Sequence, residues 1–500
     1  MRSFLKKPLS HLLEEADSSE KSLKRTLGAG ALVALGVGAI IGAGLFVRTA
    51  AAAAQNAGPS VTLGFIIAAI GCAFAGLCYA ELSSSIPISG SAYTYTYATM
   101  GEMLAWIIGW DLMLEYAVGA ATVGIAWSEY LNHFLTHVLH VSPIPYEWSH
   151  SPFEHSLADA AGVIHHGMMN LPALGIVALM SLLLIRGIHE SAVVNNIFVI
   201  VKVGIVILLI AFGWQFINPQ NHTPYIPEPS IYTDHQGISH SYGGIMGILG
   251  AAGVVFFAFI GFDAVSTAAQ ETKNPKRDMP IGILGSLVVC TILYILFSHV
   301  LTGMAPVEFF RTTGKEASVA AAITTFMPGY GWLGQLVTVA ILAGFTSVIL
   351  VMLLGQSRVF YSMSRDGLMP TVFSQLHPKF QTPYKANLII LVLVGAFAAF
   401  VPGDIVGDMT SIGTLFAFIL VCLAVIILRK KEPDMPRKFR TPLVPLVPIL
   451  GILVCLAMIV GLGWTNWLRL GGWLAIGLLV YYGYSIHHSK LGKMRKNGQL

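Results

Sequence analysis

The sequence predicts an all-α polytopic membrane protein with twelve transmembrane helices, built as a 5+5 inverted repeat with broken helices 1 and 6 and closed by two C-terminal helices. Three observations carry that prediction. Of the 500 residues, 55% are apolar and only 11% charged, against about 25% charged in a soluble domain. Apolar runs such as 61–80, 281–303, 387–401 and 471–484 approach or exceed the roughly 20 helical residues that cross a hydrocarbon core. Two glycine-interrupted apolar segments, "GVGAIIGAGLFV" at 36–47 and "GVVFFAFIGFDAVSTAAQE" at 253–271, stand in corresponding places in the two halves of the chain.

Polar, proline and glycine breaks between apolar runs place the twelve helices at 28–53, 61–84, 101–131, 169–186, 190–214, 244–270, 280–304, 332–362, 386–402, 409–428, 443–463 and 465–486. The layout is therefore a tail (1–27), a first repeat (28–214), a second repeat (244–428), two further helices (443–486) and a tail (487–500). Residues 1–27 are polar and mixed in charge, without the apolar core of a cleavable signal, so the first span is expected to act as the insertion signal.

An even number of spans puts both termini on one side. With these boundaries, 24 of the 29 lysines and arginines gather on that side, which the positive-inside rule makes cytoplasmic, in a cell (inner) membrane. Arg311, Lys315 and Arg469 lie on the other side, and Arg48 and Lys202 fall within helices.

The external loops 132–168 and 215–243 hold no lysine or arginine but ten histidines, including His133, His137, His140, His155, His222 and His235. His133, His137 and His140 could share a helix face as metal ligands. No cysteine or paired carboxylate completes a set, which favours a solvated loop and no metal. The five cysteines lie inside apolar runs and read as small core residues.

Setting Ile260-Gly261 against Ile41-Gly42 gives an offset of 219. The same offset carries 61–84, 169–186 and 190–214 onto 280–303, 388–405 and 409–433, each a span placed independently. The third helix lands about a dozen residues short of the eighth, so one loop differs. Gly-interrupted segments at corresponding positions are the sequence signature of a binding site between inverted halves.

Each glycine in a helix interior costs about 1 kcal/mol against alanine, so four of them within 36–47 need a reason. A dinucleotide fingerprint does not fit, because Gly36-x-Gly38-x3-Gly42 is one residue too long and no strand precedes it. Gly38-x3-Gly42 could be a close-packing motif. An unwound stretch is the third reading, and its recurrence at 258–262 favours it. Two such breaks would present N–H groups near Gly42 to an anion and carbonyls near Phe257–Ile260 to a cation. A ligand bearing both charges is an α-amino acid.

At these residues the chain resembles the amino acid–polyamine–organocation superfamily, and within it a bacterial member of the cationic amino-acid transporter family. The resembling stretches are "GVGAIIGAGLFV" (36–47), "LEYAVGAATVGIAWSEYL" (114–131), "ESAVVNNIFVIVKVGIV" (190–206), "FFAFIGFDAVSTAAQETKNPKRDMPIGI" (256–283) and "GQSRVFYSMSRDGLMP" (355–370). The resemblance implies the LeuT-like fold of bacterial leucine–sodium symporters. It also implies a substrate carboxylate at the amides of Gly42, Ala43 and Gly44, and an ammonium at the carbonyls of Ile40, Phe257, Ala258 and Ile260.

Lys202 sits midway along an apolar helix, where insertion costs roughly 2.5–3.5 kcal/mol and a function is the default reading. A snorkelling lysine or a structural ion pair is the alternative. The resemblance matches Lys202 to the position where sodium-coupled relatives hold an ion, which implies coupling to H+. Asp263 and Glu115 either receive a cationic side chain or hold backbone freed by the breaks, and relatives that carry neutral amino acids leave both open. Thr346 and Ser347 line the pocket, ligate an ion or pack helices. Asp366 and Arg365, with Lys273, Lys276, Arg277 and Asp278, form a cytoplasmic gate network or a simple positive anchor.

The function that follows is a proton-coupled symporter importing neutral and/or cationic L-amino acids by alternating access. H+ is the coupling ion, with no cofactor and no catalytic residues. The partners are an amino-acid substrate and the lipid bilayer, with no nucleic acid and a small single-span subunit left open. A sodium-coupled symporter, an exchanger and an amino-acid sensor are the alternatives. An ATP-driven pump lacks its GxxxxGK[ST] loop, and an enzyme lacks a nucleophile or carboxylate pair beside its histidines.

Overall fold

The helix Ile188–Gly213 shows how the chain sorts protein from lipid. Asn195 and Lys202 are buried, whereas Ile197, Ile200 and Ile207 are 56%, 72% and 51% exposed. Polar groups must be satisfied inside a membrane protein, so the polar positions turn inward and the branched apolar ones face outward. Leu179, Val392, Val460 and Leu479 are similarly exposed on other helices, forming an apolar outer surface suited to acyl chains.

The protein is described from a computed structural model covering residues 5–8, 23, 25–42, 44–153, 157–158, 164–233, 239–313, 318–402, 407–461 and 464–497. Among these, seven stretches are long and apolar enough to cross a membrane: Gly44–Ser85, Glu102–His137, Ser191–Phe216, Gly244–Glu271, Pro275–Met304, Gly331–Arg365 and Ile412–Lys431. Shorter apolar helices run over Ala29–Ile40, Leu171–Arg186, Tyr384–Phe400 and Leu446–Val460. The most deeply buried of the seven is Gly331–Arg365, which packs against Ile188–Gly213 and Gly119–His137.

Several expected boundaries shift. The helix expected at 101–131 runs on to His137, and the one expected at 280 begins at Pro275. The all-α expectation is corrected in the loops. Leu157–Ala158 pairs with Ile164–His165, and Ser230–Thr233 with Ser239–Tyr242, both antiparallel. These ribbons lie in segments too polar to be spans, where strand pairing satisfies backbone groups locally. "AYTYTYAT" alternates like a strand yet forms the helix Ala92–Thr99, since tertiary packing overrides so short a pattern.

The Trp464–Val480 helix docks on Glu102–Met113 through a reciprocal pair. Trp110 Nε1 donates to Trp473 O at 2.9 Å, Trp473 Nε1 donates to Trp110 O at 3.1 Å, and the rings stack at 4.8 Å. All five cysteines are buried and unpaired. His133 and His137 stack with ring centres 4.2 Å apart. Among the described residues no three His, Cys, Asp or Glu are grouped to hold a metal. Ala43, His155, His235, Lys315 and most of the N-terminal tail lie outside the described residues.

Candidate substrate and ion site

Two helix breaks face each other at the centre of the molecule. The first helix ends at Ile40; Ile41 is extended (ψ 103°), and helical structure resumes at Gly44. Opposite it, Gly244–Phe256 tightens into a 3₁₀ turn at Phe257–Phe259, Ile260 opens to ψ 136°, and the chain resumes at Phe262.

Glycine is required at two points of this geometry. Gly261 has φ +110°, a left-handed conformation that L side chains rarely adopt, and a Cβ there would lie 2.9 Å from Ala39 Cβ. Gly44 meets the opposite break directly, since a Cβ on it would collide with Ala258 Cα. Gly36 and Gly38 do a different job: they receive the Ser286 and Asn195 side chains and so serve helix packing.

Tyr294, on the Pro275–Met304 helix, ties the breaks together. Its hydroxyl lies 2.8 Å from both Ile40 O and Ala258 O, and with one proton it donates to one of them at a time. Phe257 O accepts from Ile260 N at 3.3 Å. Of the four carbonyls assigned to an ammonium, Phe257 O is thus engaged by Ile260 N, and Ile40 O and Ala258 O compete for the single proton of Tyr294, so a ligand would share those two with the tyrosine. The sequence signal for Tyr294 is a lone hydroxyl-bearing aromatic in the apolar run "CTILYILF".

Lys202 reaches the first break from the side. Its Nζ donates to Gly38 O at 2.9 Å, Ile41 O at 2.7 Å and Ser347 Oγ at 2.7 Å, in a fully buried position. An ammonium has three donors, and here each finds an acceptor. That arrangement excludes the snorkelling alternative. Ser347 Oγ also lies 2.9 Å from Gly38 O and 2.8 Å from Gly344 O, fixing the acceptor in place. Thr346, one residue earlier, points elsewhere: it accepts from Trp127 Nε1 at 3.0 Å and donates to Leu342 O at 2.7 Å. The structure therefore brings Ser347, and not Thr346, to Lys202.

The acidic pair also converges. Asp263 opens the segment after the second break, and its Oδ2 accepts from Tyr116 Oη at 2.5 Å. Glu115 lies beside Asp263, on the π-helical turn Leu114–Val118 that interrupts the Glu102–His137 span. Such wide turns reorient side chains and recur at functional sites. Both carboxyls are completely buried and stand within hydrogen-bonding reach of each other, with Thr414 also beside Glu115. Buried polar atoms are normally paired, and here the two carboxyls, Thr414 and Tyr116 are one another's partners. Arg48 lies over the Phe257 ring at 5.2 Å, at the edge of the second break.

Further along the segments that carry Asp263 and Ser347, two ion pairs form. Arg358 binds Glu271 through two hydrogen bonds of 2.6 and 3.1 Å, both side chains being buried. Lys7 Nζ stands 2.5 Å from Asp366 Oδ1, and Tyr93 Oη donates to Asp366 Oδ2 at 2.7 Å. Asp366 is thus a buried network residue and not part of a plain surface anchor, and Arg358 and Lys7 are partners that local sequence reading missed.

A family model described as amino acid permease matches residues 27–467. The chain is 45% identical to the branched-chain amino acid permease BcaP of Bacillus subtilis, over 98% of this chain and 99% of that one. It is 40% identical to the methylthioribose transporter of the same organism, over 98% and 99% of the two chains. It is also 33% identical to the vacuolar cationic amino acid transporter 4 of Arabidopsis thaliana, over 85% of this chain and 66% of that one.

Proposed function

Because the chain belongs to the amino acid permease family, and is thus a multi-pass membrane transporter and not an enzyme, we propose that it is a proton-coupled symporter importing L-amino acids by alternating access. The observation that carries the coupling is Lys202, whose three donors are all met at the first break. An ammonium so placed occupies a cation site made of carbonyls and a hydroxyl. Proton loss would free those acceptors and release the first break, and proton gain would restore the set. The coupling ion is then H+, with no other cofactor.

The substrate carboxylate is assigned to the amides of Gly42, Ala43 and Gly44, and the ammonium to Ile40, Phe257, Ala258 and Ile260 with Tyr294 between them. The side chain extends toward Asp263 and Glu115, with Ser347 in the ion set. Neutral substrates are supported by the branched-chain relative, and cationic ones by the cationic relative and the two buried acids beside the second break.

The finer architecture belongs to the same reading: twelve crossings, two inverted repeats at 28–214 and 244–428, both termini cytoplasmic, in the cell membrane. The helix pairs support it. Displaced by the 219-residue offset between Ile41-Gly42 and Ile260-Gly261, Ile188–Gly213 falls on residues 407–432, against the helix Gly407–Lys431.

A second reading follows from the methylthioribose relative, since a thiosugar carries neither carboxylate nor ammonium. The test is uptake into proteoliposomes under an imposed pH gradient, with and without sodium, using labelled leucine and arginine and unlabelled methylthioribose as competitor. Gradient-driven, sodium-independent uptake of an amino acid is expected. Sodium dependence would sink the role of Lys202, and competition by methylthioribose alone would favour the second reading.

A further inference from the structure

Away from the central site, the segment 5–8 meets the end of the Gly407–Lys431 helix over a cavity of about 160 Å³, lined by Lys6, Lys7, Thr99, Leu428, Lys431 and Glu432. At about 30 Å³ per water it has room for a phosphoryl group and its ester. Lys7 is engaged by Asp366, and Thr99 spends its proton on Tyr95 O. Arg429, two residues before Lys431, is drawn away to Glu81 at 2.7 Å. That leaves Lys6 and Lys431, whose side chains adjoin. Among the described residues no ion pair joins Glu432 to either of them.

We propose that this cavity binds a phosphoryl anion between Lys6 and Lys431, supplied either by the headgroup of an acidic lipid in the adjoining leaflet or by free phosphate. Two adjacent ammonium groups without a carboxylate between them repel, and a shared anion reverses the sign of that interaction. Burial, and then Lys431, push Lys6 down to about 8, as expected for an unneutralised pair. An anion here would fasten segment 5–8, and with it the Lys7–Asp366 contact, to the end of the Gly407–Lys431 helix. The inference does not depend on the transport mechanism.

The test is thermal unfolding of the purified full-length protein, titrated separately with dioctanoyl phosphatidylglycerol, dioctanoyl phosphatidylcholine and inorganic phosphate. Saturable stabilisation by phosphatidylglycerol is expected, weakened about thirtyfold in the K6Q/K431Q variant, retained in K6R/K431R and unchanged in K493Q/R495Q. Stabilisation by phosphate as well would identify a free anion as sufficient, whereas phosphatidylglycerol alone would assign the lipid. Equal stabilisation by phosphatidylcholine, no saturable shift, or a K6Q/K431Q titration matching the parent would overturn the proposal.

Discussion

Lys202 Nζ stands 2.7 Å from the carbonyl of Ile41, the first extended residue after the first broken helix. A side chain from one helix thus completes the hydrogen bonding that the break leaves open in another, and loss of its proton would be felt at the break itself.

Replacing Lys202 with methionine should abolish gradient-driven uptake while binding, read by ligand-induced thermal stabilisation, stays detectable. Normal driven uptake in that variant would refute the coupling role.

Tyr294→Phe removes the hydroxyl that bridges Ile40 O and Ala258 O. Leaving a buried acceptor unpaired costs about 1–3 kcal/mol, so the ligand-free protein should melt earlier. If the substrate ammonium sits where proposed, it then takes both carbonyls without competition, and the stabilisation by leucine should grow. An unchanged ligand-free melting point would contradict the bridge.

Gly44→Ala puts a methyl into Ala258 Cα, an overpacking expected to cost about 1–3 kcal/mol. Gly30→Ala, with nothing within 4 Å of the new Cβ, should be neutral or stabilising by up to about 1 kcal/mol. Equal melting points for the two variants would show that the breaks do not touch as described.

Arg358→Ala strands the buried Glu271 carboxylate, at an expected cost of about 3–5 kcal/mol. Adding Glu271→Gln should recover part of that loss, and a double-mutant cycle of melting curves measures how much. Additive losses would mean that the pair does not act as a unit.

Lys6 is held below its ordinary 10.5, at about 8, by burial and by Lys431. Between those values the unfolded chain binds more protons than the folded one at this site, so anion-free stability should rise with pH from about 8 toward 10.5. Melting curves of the parent and K6Q across that window should diverge in slope. Parallel slopes would exclude a strained Lys6.

The sequence alone determined the membrane class, the placing of most helices, and both breaks, because apolar length and glycine spacing are local properties of the chain. It also singled out Lys202, since a charge amid apolar neighbours needs no partner to be conspicuous. Only the tertiary structure decided what each polar group meets. Ser347 faces Lys202 and Thr346 turns to Trp127 because neighbouring residues on a helix point about 100° apart. Tyr294, on another helix, occupies carbonyls that the breaks alone would leave bare, and Lys7 meets Asp366 from the opposite end of the chain. Most of these pairings join residues more than a hundred positions apart, so they are set by how helices pack and not by any pattern along one of them.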